Sequence, residues 1–151
     1  MEIERKFLCN KPAFELSAYK KASIIQYYVS TEPVIRIRKT DDNYFLTIKS
    51  KGSISRQELE MEISEKEFDN LTKLTDKAPI SKTRYFIPLE NSLTAELDIY
   101  NGPLSGLFTV EVEFESLDQA ESFTPPEWFG KDVSEDNRYK NSSLYIKGLP
   151  E

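Results

Sequence analysis

Charged and apolar residues alternate along most of this chain. The alternation runs through residues 2–7, 35–38, 46–51, 58–63, 96–99 and 110–115. Because successive side chains of a β-strand point to opposite faces, each segment is predicted to be a strand with one charged and one apolar face. Residues 82–86 follow the same pattern less regularly. Turn-forming residues at 40–43, 51–53, 101–103 and 105–106 predict short connections and antiparallel pairing.

Three helices are predicted between or after these strands. Ser64 with Glu67, and Ser116 with Gln119, have the spacing of capping boxes, and apolar residues follow each at helical intervals. A third helix is predicted from near Ser134 through Tyr139. The chain has no internal repeat, linker or low-complexity segment, so residues 1–151 are predicted to form one domain.

The sign of the charge is sorted by strand. One set of strands is acidic and another is basic, with Glu2/Glu4, Glu58/Glu60/Glu62, Glu96/Asp98 and Glu111/Glu113 against Arg36/Arg38 and Lys82/Arg84. Taken alone, any one of these strands would indicate only a sheet with one solvent-exposed charged face. Like charges two residues apart lie about 7 Å apart and repel each other, however, and solvated faces usually mix the signs.

This sorting favours a ligand that carries strong negative charge together with cations. A polyphosphate with Mg²⁺ has this property, because Arg and Lys bind phosphate oxygens and paired carboxylates bind Mg²⁺ or Mn²⁺. If the strands close into a barrel, the charged faces line its lumen and the short helices cover the apolar outside. The predicted fold is therefore α+β and mainly antiparallel β, with helices packed outside the barrel.

Composition narrows the chemistry further. The chain has no histidine and one cysteine, Cys9, which excludes Ser-His-Asp and Cys-His catalysis and an intrachain disulfide, and argues against zinc. Cys9 is expected to be a small buried hydrophobe. The net charge of −6 argues against nucleic-acid binding, and no apolar run is long enough to span a membrane. The acidic start at Met1–Glu4 is not a signal peptide, so a cytoplasmic protein is expected.

Short motifs follow one another in a recognisable order. The start Glu2-Ile3-Glu4-Arg5-Lys6 fits the pattern ExExK, and the later motifs are Arg36–Arg38, Thr47–Lys49, Ser55–Glu60, Lys82–Tyr85, Glu96–Asp98, Val110–Phe114, Trp128–Val133 and Asp136–Asn141. The series resembles the CYTH superfamily, the triphosphate tunnel metalloenzymes, over nearly the whole chain. The resemblance implies an eight-stranded closed antiparallel tunnel, a divalent-metal requirement and a small-molecule triphosphate substrate.

The resemblance also implies metal ligands. Glu111 and Glu113 resemble the main ligand pair, Glu2 and Glu4 resemble carboxylates that serve a second metal or position water, and Asp98 resembles a further ligand. Two ions, Mg²⁺ or Mn²⁺, would divide the work between holding the triphosphate and activating water. The alternatives are a frayed terminus for Glu2 and an ordinary lumen charge for Asp98.

The phosphate-binding set implied by the resemblance is Lys6, Arg36, Arg38, Lys49, Arg56, Lys82, Arg84 and Lys140. A ring of cations is itself catalytic in phosphoryl transfer, and Lys6 belongs to it. Tyr28 and Lys82 resemble residues that orient the leaving phosphate or the water, although Tyr28 could instead be a packed aromatic. Glu58 and Glu60 are expected to hold lumen cations in place, whereas Lys51 is expected to be solvated. Arg138 is left undecided.

The expected function is metal-dependent hydrolysis of inorganic tripolyphosphate, and possible further substrates are nucleoside and thiamine triphosphates. Adenylate cyclase chemistry at the same site is one alternative, and a non-catalytic polyphosphate-binding module is another. A β-sandwich with solvated charged faces and a protein partner is the least specific alternative. Dimers are common in the family, so a homodimer stays open although the sequence shows no interface.

Overall fold

The computed structural model describes residues 1–52 and 54–151. Its strands are β1 Glu2–Cys9, β2 Lys20–Thr31, β3 Val34–Thr40, β4 Asn43–Lys49, β5 Ser55–Arg56, β6 Glu58–Ile63, β7 Ile80–Pro88, β8 Thr94–Tyr100, β9 Phe108–Glu113 and β10 Phe129–Asp132. Its α-helices are α1 Glu65–Thr72, α2 Leu117–Ser122 and α3 Asn141–Lys147. The turn predicted over residues 51–53 includes Ser53, which lies outside the described residues.

Eight strands form the wall of a nearly closed barrel, in the order β1-β9-β8-β7-β2-β3-β4-β6, and all pairs are antiparallel. The free edge of β1 pairs with β5 at Glu2 and Ile3, and with β10 between Phe7 and Cys9. Because β5 directly precedes β6 in the chain, its pairing brings the two ends of the sheet together. The predicted antiparallel barrel is confirmed, with β5 and β10 as short additional strands.

Alternation along the strands separates the two faces as predicted. The outer faces of β1, β8 and β9 supply a hydrophobic core that includes Phe7, Leu97 and Val110, and Ala120 of α2 packs onto it. The aromatic ring of Phe68 in α1 packs against Tyr27 and Tyr44. The helices α1 and α2 therefore cover the outside of the barrel, which leaves the charged residues of the same strands for its interior.

Two of the three predicted helices are confirmed. Ser64 caps α1 through a complete capping box, in which its hydroxyl accepts from Glu67 N at 3.1 Å and Glu67 Oε1 accepts from Ser64 N at 2.8 Å. Ser116 caps α2 by accepting from the backbone N–H of Gln119 at 3.1 Å. Within the described residues, no helix combines the length and the apolar character needed to cross a membrane.

The third predicted helix, over residues 134–139, is wrong. Only a 3₁₀ turn forms at Asn137–Tyr139, where Asp136 accepts from the backbone N–H of Arg138. Lys140 is then extended, with φ −65° and ψ 140°, and this interrupts the helical path before α3 begins at Asn141. The local side-chain hydrogen bond therefore favours a short turn over a continuous helix.

Helix α3 closes one end of the barrel. Leu144 and Tyr145 are buried against Tyr28, Ile80 and Tyr100, which belong to the inward-facing positions of β2, β7 and β8. The rings of Tyr28 and Tyr145 are 5.6 Å apart. A hydrophobic plug therefore fills this end of the interior, and the charged residues occupy the remainder.

Gly130 allows β10 to lie against β1, and its replacement tests that junction. A Cβ atom at this position would lie 2.6 Å from the carbonyl oxygen of Leu8, so the strands must separate to accept one. We expect Gly130→Ala to lower the free energy of unfolding by roughly 1–3 kcal/mol, measured by urea denaturation. Exposed Lys131 is the control, and Lys131→Ala should change the value by less than about 0.5 kcal/mol. Equal stabilities of the two variants would contradict this account of the junction.

Candidate active site

A cavity of about 330 Å³ occupies the charged part of the barrel interior. Its wall contains seven basic and seven acidic side chains, which are Lys6, Arg36, Arg38, Lys49, Arg56, Arg84 and Lys140 against Glu2, Glu4, Glu58, Glu60, Glu96, Glu111 and Glu113. Because the two numbers are equal, the wall as a whole does not select for a simple anion. It favours a ligand that brings both negative charge and cations.

Charges of opposite sign are partly sorted between two sides of the cavity, with Lys6 of β1 on the acidic side and Glu58 and Glu60 of β6 beside the basic one. The acidic side is formed by neighbouring strands β1, β9 and β8, which contribute Glu4, Glu96, Glu111 and Glu113. The basic side begins at β7 and continues through β3 and β4, which contribute Arg84, Arg36, Arg38 and Lys49. A ligand in the cavity therefore meets phosphate-binding groups on one side and carboxylate oxygens on the other.

Glu2 joins two cations at the seam of the barrel. Its Oε1 lies 3.1 Å from Lys49 Nζ and 3.2 Å from Arg56 Nε. Burial opposes the charge of Glu2, but Lys49 and Arg56 outweigh it and lower the pKa of its carboxyl. Since β5 pairs with β1 here, closure of the barrel and placement of these cations depend on the same carboxylate.

Asp98 lies behind the cavity wall, fully buried between two basic side chains. It accepts from Arg84 through two bonds, Nε to Oδ1 at 2.8 Å and NH2 to Oδ2 at 3.0 Å, and Lys82 Nζ lies 2.8 Å from Oδ2. Burial would raise the pKa of Asp98, but Arg84 and Lys82 lower it well below its usual range. Burial lowers the pKa of Lys82 to about 7 despite Asp98. Arg84 reaches the cavity and is held rigidly by this bidentate contact.

The acidic side holds carboxylates that repel one another. Burial and the neighbouring Glu111 raise the pKa of Glu4 well above its usual value. Burial opposes ionisation of Glu111 too, but Lys6 and Arg84 lower its pKa to about 2. A cation bound between the two carboxyl groups would relieve this repulsion and favour the ionised form of Glu4.

The acidic side suits a hard divalent cation. Its donors are carboxylate oxygens, which Mg²⁺ and Mn²⁺ prefer, and their repulsion is relieved by positive charge. Across residues 1–52 and 54–151, no three acidic or cysteine side chains are already gathered closely enough to hold an ion. Ligation therefore requires side-chain rotation, for which the half-exposed Glu96 and exposed Glu113 have room.

The structure places most of the predicted site residues on the cavity wall. These are Glu2, Glu4, Lys6, Tyr28, Arg36, Arg38, Lys49, Arg56, Arg84, Glu111, Glu113 and Lys140. Lys82 and Asp98 are not on the wall; they are buried behind it. Glu96 is on the wall but was not among the predicted ligands, although its alternation with Asp98 placed both on the inner face. Ser134, Asn141 and Ser142 also line the cavity, although none of them was predicted as a site residue.

The remaining expectations have mixed outcomes. Glu60 accepts from Thr47 Oγ1 at 3.0 Å and lies 3.8 Å from Arg36 NH2, which agrees with a role in holding a cation. Lys51 is 85% exposed and pairs with Glu32, as expected for a solvated charge. Arg138 pairs with Asp136 and is absent from the cavity wall. Cys9 is half-buried against the core, and burial raises the pKa of its thiol to about 11.

A model of the CYTH domain family matches residues 1–143. The chain belongs to the CYTH domain family. It is 44% identical over 149 residues to an inorganic triphosphatase of Nitrosomonas europaea, covering 96% of this chain and 97% of the relative. It is 35% identical over 147 residues to an inorganic triphosphatase of Acetivibrio thermocellus, covering 95% of this chain and 92% of the relative. This CYTH domain also resembles a crystal structure of an inorganic triphosphatase, with a TM-score of 0.71 and 39% identity. The match covers 99% of this chain and 97% of the other.

Replacement of Asp98 tests whether it neutralises Lys82 and Arg84. Asp98→Asn leaves both cations buried without their carboxylate, so we expect the free energy of unfolding to fall by roughly 3–5 kcal/mol at pH 7. The pKa of Asp98 is lowered by folding, so its contribution is present above about pH 4 and is lost in more acidic solution. The variant should therefore lose less stability than the wild type between pH 5 and pH 2 in urea denaturation.

Asp42→Asn is a matched control for that experiment, because Asp42 is exposed in the turn between β3 and β4. It should change the free energy of unfolding by less than about 0.5 kcal/mol at either pH. If Asp98→Asn behaves like this control, the buried ion pairs do not stabilise the fold.

Proposed function

We propose that this CYTH protein hydrolyses inorganic tripolyphosphate to diphosphate and phosphate with the aid of divalent metal ions. The observation that carries the proposal is the cavity with one basic and one acidic side, because a metal–tripolyphosphate complex presents both charges. The two inorganic triphosphatases that cover almost the same length of chain support it.

The basic side binds and orients the phosphate chain in this proposal. The guanidinium groups of Arg36, Arg38 and Arg84 are suited to paired phosphate oxygens, and Lys49, Arg56 and Lys140 add single charges at the seam. Asp98 holds Arg84 and Glu2 holds Lys49 and Arg56, so the cations are positioned before the substrate arrives. Positioning and charge stabilisation are the main requirements of phosphoryl transfer.

The acidic side would hold the metal through Glu4, Glu96, Glu111 and Glu113. Two Mg²⁺ or Mn²⁺ ions bound there would neutralise charge on the substrate and lower the pKa of an attacking water. In this proposal Glu2 and Asp98, which the resemblance implied as ligands, instead position cations, because their oxygens are already bonded to Lys and Arg side chains. Glu96 takes the position on β8 that faces the cavity.

Lys6 and Tyr28 have distinct roles beside the phosphate chain, and Lys82 acts from behind the wall. Lys6 Nζ donates to the carbonyl of Tyr139 at 2.6 Å and lies 3.7 Å from Glu111 Oε1. Because Lys6 also lines the cavity, its charge is available to a phosphate oxygen beside the acidic side. Tyr28 lines the cavity, and in this proposal its hydroxyl donates to a phosphate oxygen. Lys82 lies behind the wall and acts through Asp98, which makes it a positioning residue and not a group that contacts substrate.

The cyclase alternative lacks support in the cavity. A nucleotide needs an apolar surface for its base, and the apolar groups on the described wall are Val34, Val133 and the ring of Tyr28. The binding-module alternative leaves the acidic side without a use, because repelling carboxylates weaken the binding of an anion alone. Hydrolysis uses both sides of the cavity.

Product analysis tests the proposed reaction directly. We expect rapid phosphate release from tripolyphosphate with Mg²⁺ or Mn²⁺, and none in excess EDTA, measured by a phosphate assay and ion chromatography. ATP and thiamine triphosphate, tested in parallel, should be hydrolysed more slowly because the wall offers their organic groups few contacts. Cyclic AMP and diphosphate from ATP would identify a cyclase, and tight binding without turnover of any compound would leave a binding module.

Replacement of Glu111 tests the acidic side. Glu111→Gln keeps the shape but removes the charge, so we expect kcat to fall at least about 100-fold, with a higher metal concentration needed for half-maximal rate. Glu115→Gln is the control, because Glu115 is exposed beyond the end of β9, and it should leave both quantities within about twofold. An unchanged metal requirement in Glu111→Gln would remove Glu111 from the metal site.

A further inference from the structure

Gln26 is a fully buried polar residue in the wall of the barrel, with none of its surface exposed to solvent. Its amide lies between two residues that line the cavity. Gln26 Oε1 accepts from Arg38 Nε at 3.0 Å, and Gln26 Nε2 donates to the hydroxyl oxygen of Tyr28 at 3.2 Å. A buried amide must satisfy its hydrogen-bonding groups, so these contacts fix its position.

The chemistry of the neighbours fixes the orientation of the amide. A guanidinium group has only donors, so the Gln26 atom that faces Arg38 must be the carbonyl oxygen. The amino group then faces Tyr28, and the tyrosine oxygen must accept. The Tyr28 proton is consequently free to point elsewhere, and Tyr28 lines the cavity. Burial raises the pKa of Tyr28 despite Arg36 and Arg38, so the hydroxyl keeps that proton.

The same part of the wall contains further donors. Arg36 lies directly across from Tyr28 in the β2–β3 pair, and its buried Nε has no hydrogen-bond partner among the described residues. Arg38 lies across from Gln26, and the bond from its Nε leaves the two terminal amino groups available to a ligand. Tyr28, Arg36 and Arg38 thus present donors to an acceptor-rich group, such as one phosphoryl unit.

We propose that Gln26 is a positioning residue for the hydrolysis, holding the Arg38 guanidinium with one end of its amide and directing the Tyr28 proton toward the substrate with the other. This inference rests on the proposed function. A carboxylate at the same place would accept from both neighbours, turn the Tyr28 proton away from the cavity and place negative charge behind the phosphate site. An apolar side chain of equal length would release both neighbours.

The test is a double-mutant cycle on tripolyphosphate hydrolysis. Gln26→Met keeps the length of the side chain, and we expect it to lower kcat/KM by about 10-fold or more, as loss of a positioned donor does. One cycle combines Gln26→Met with Tyr28→Phe, and the second combines Gln26→Met with Arg38→Lys. We expect each double variant to lose at least about fivefold less than the product of its two single losses, because the residues act as a unit.

Gln26→Glu supplies a second variant in which the acceptor for Arg38 is kept and the donor to Tyr28 is lost. Gln26→Glu should also lower kcat/KM by about 10-fold or more. Introduced into a Tyr28→Phe variant, the same substitution should cause a smaller loss. Thr109→Val is the control, because Thr109 is equally buried in β9 and touches neither Tyr28 nor Arg38. Its kcat/KM should stay within about twofold, and circular dichroism checks that every variant is folded.

Additive losses in both cycles, or wild-type kinetics in folded Gln26→Met and Gln26→Glu, would overturn the inference. Calorimetric binding of tripolyphosphate in EDTA supplies a readout that needs no turnover, and the same non-additivity is expected in Kd. If the wild type binds without hydrolysing, the proposed function fails while the binding cycles still decide the role of Gln26. If the wild type hydrolyses and the cycles are additive, only the role of Gln26 fails.

Discussion

Charge inside a closed barrel needs compensation, and this constraint governs the rest of the structure. Strands with alternating charged and apolar residues gain by closing, because their apolar faces are then covered from outside. Closure forces the charged faces into one interior, where an unpaired ion is costly. Asp98 and Glu2 offset that cost by joining cations from neighbouring strands. Stability of the fold and geometry of the site therefore rest on the same ion pairs.

The two carboxylates differ in what they hold together. Asp98 ties β8 to β7 deep in the wall, where Lys82 and Arg84 are almost without solvent. Glu2 ties β1 to β4 and β5 at the seam, where the two ends of the sheet meet. Glu4 on β1 and Glu96 on β8 lack such complete compensation. The acidic side remains under electrostatic strain, and this strain favours a cation and thereby the anionic substrate that accompanies it.

The barrel and the inward faces could be predicted from the sequence, because alternation with a period of two decides which side chains share a face. The alternation does not predict how deep within the barrel each inward-facing side chain lies. Glu96 and Asp98 follow the same pattern, yet Glu96 lies on the cavity wall and Asp98 is buried between two cations. Gln26 was missed because β2 has adjacent apolar residues, such as Tyr27 and Tyr28, which obscure the alternation. The helix predicted over residues 134–139 was wrong because the periodicity does not reveal the bond from the Arg138 N–H to Asp136, which accompanies a 3₁₀ turn there.

The pairing of β1 has a consequence for the order in which the site is assembled. The strand that carries Glu2, Glu4 and Lys6 pairs with β9 and β10, whose partner residues lie more than one hundred positions further along the chain. Helix α3, which follows still later, supplies the plug for the interior. Glu2 finds Lys49 and Arg56 much nearer in the chain, whereas Glu4 and Lys6 reach Glu111 and Glu113 only when β1 joins β9. The acidic side of the cavity is therefore complete only when distant parts of the chain have come together, so a partly folded molecule does not hold a finished site.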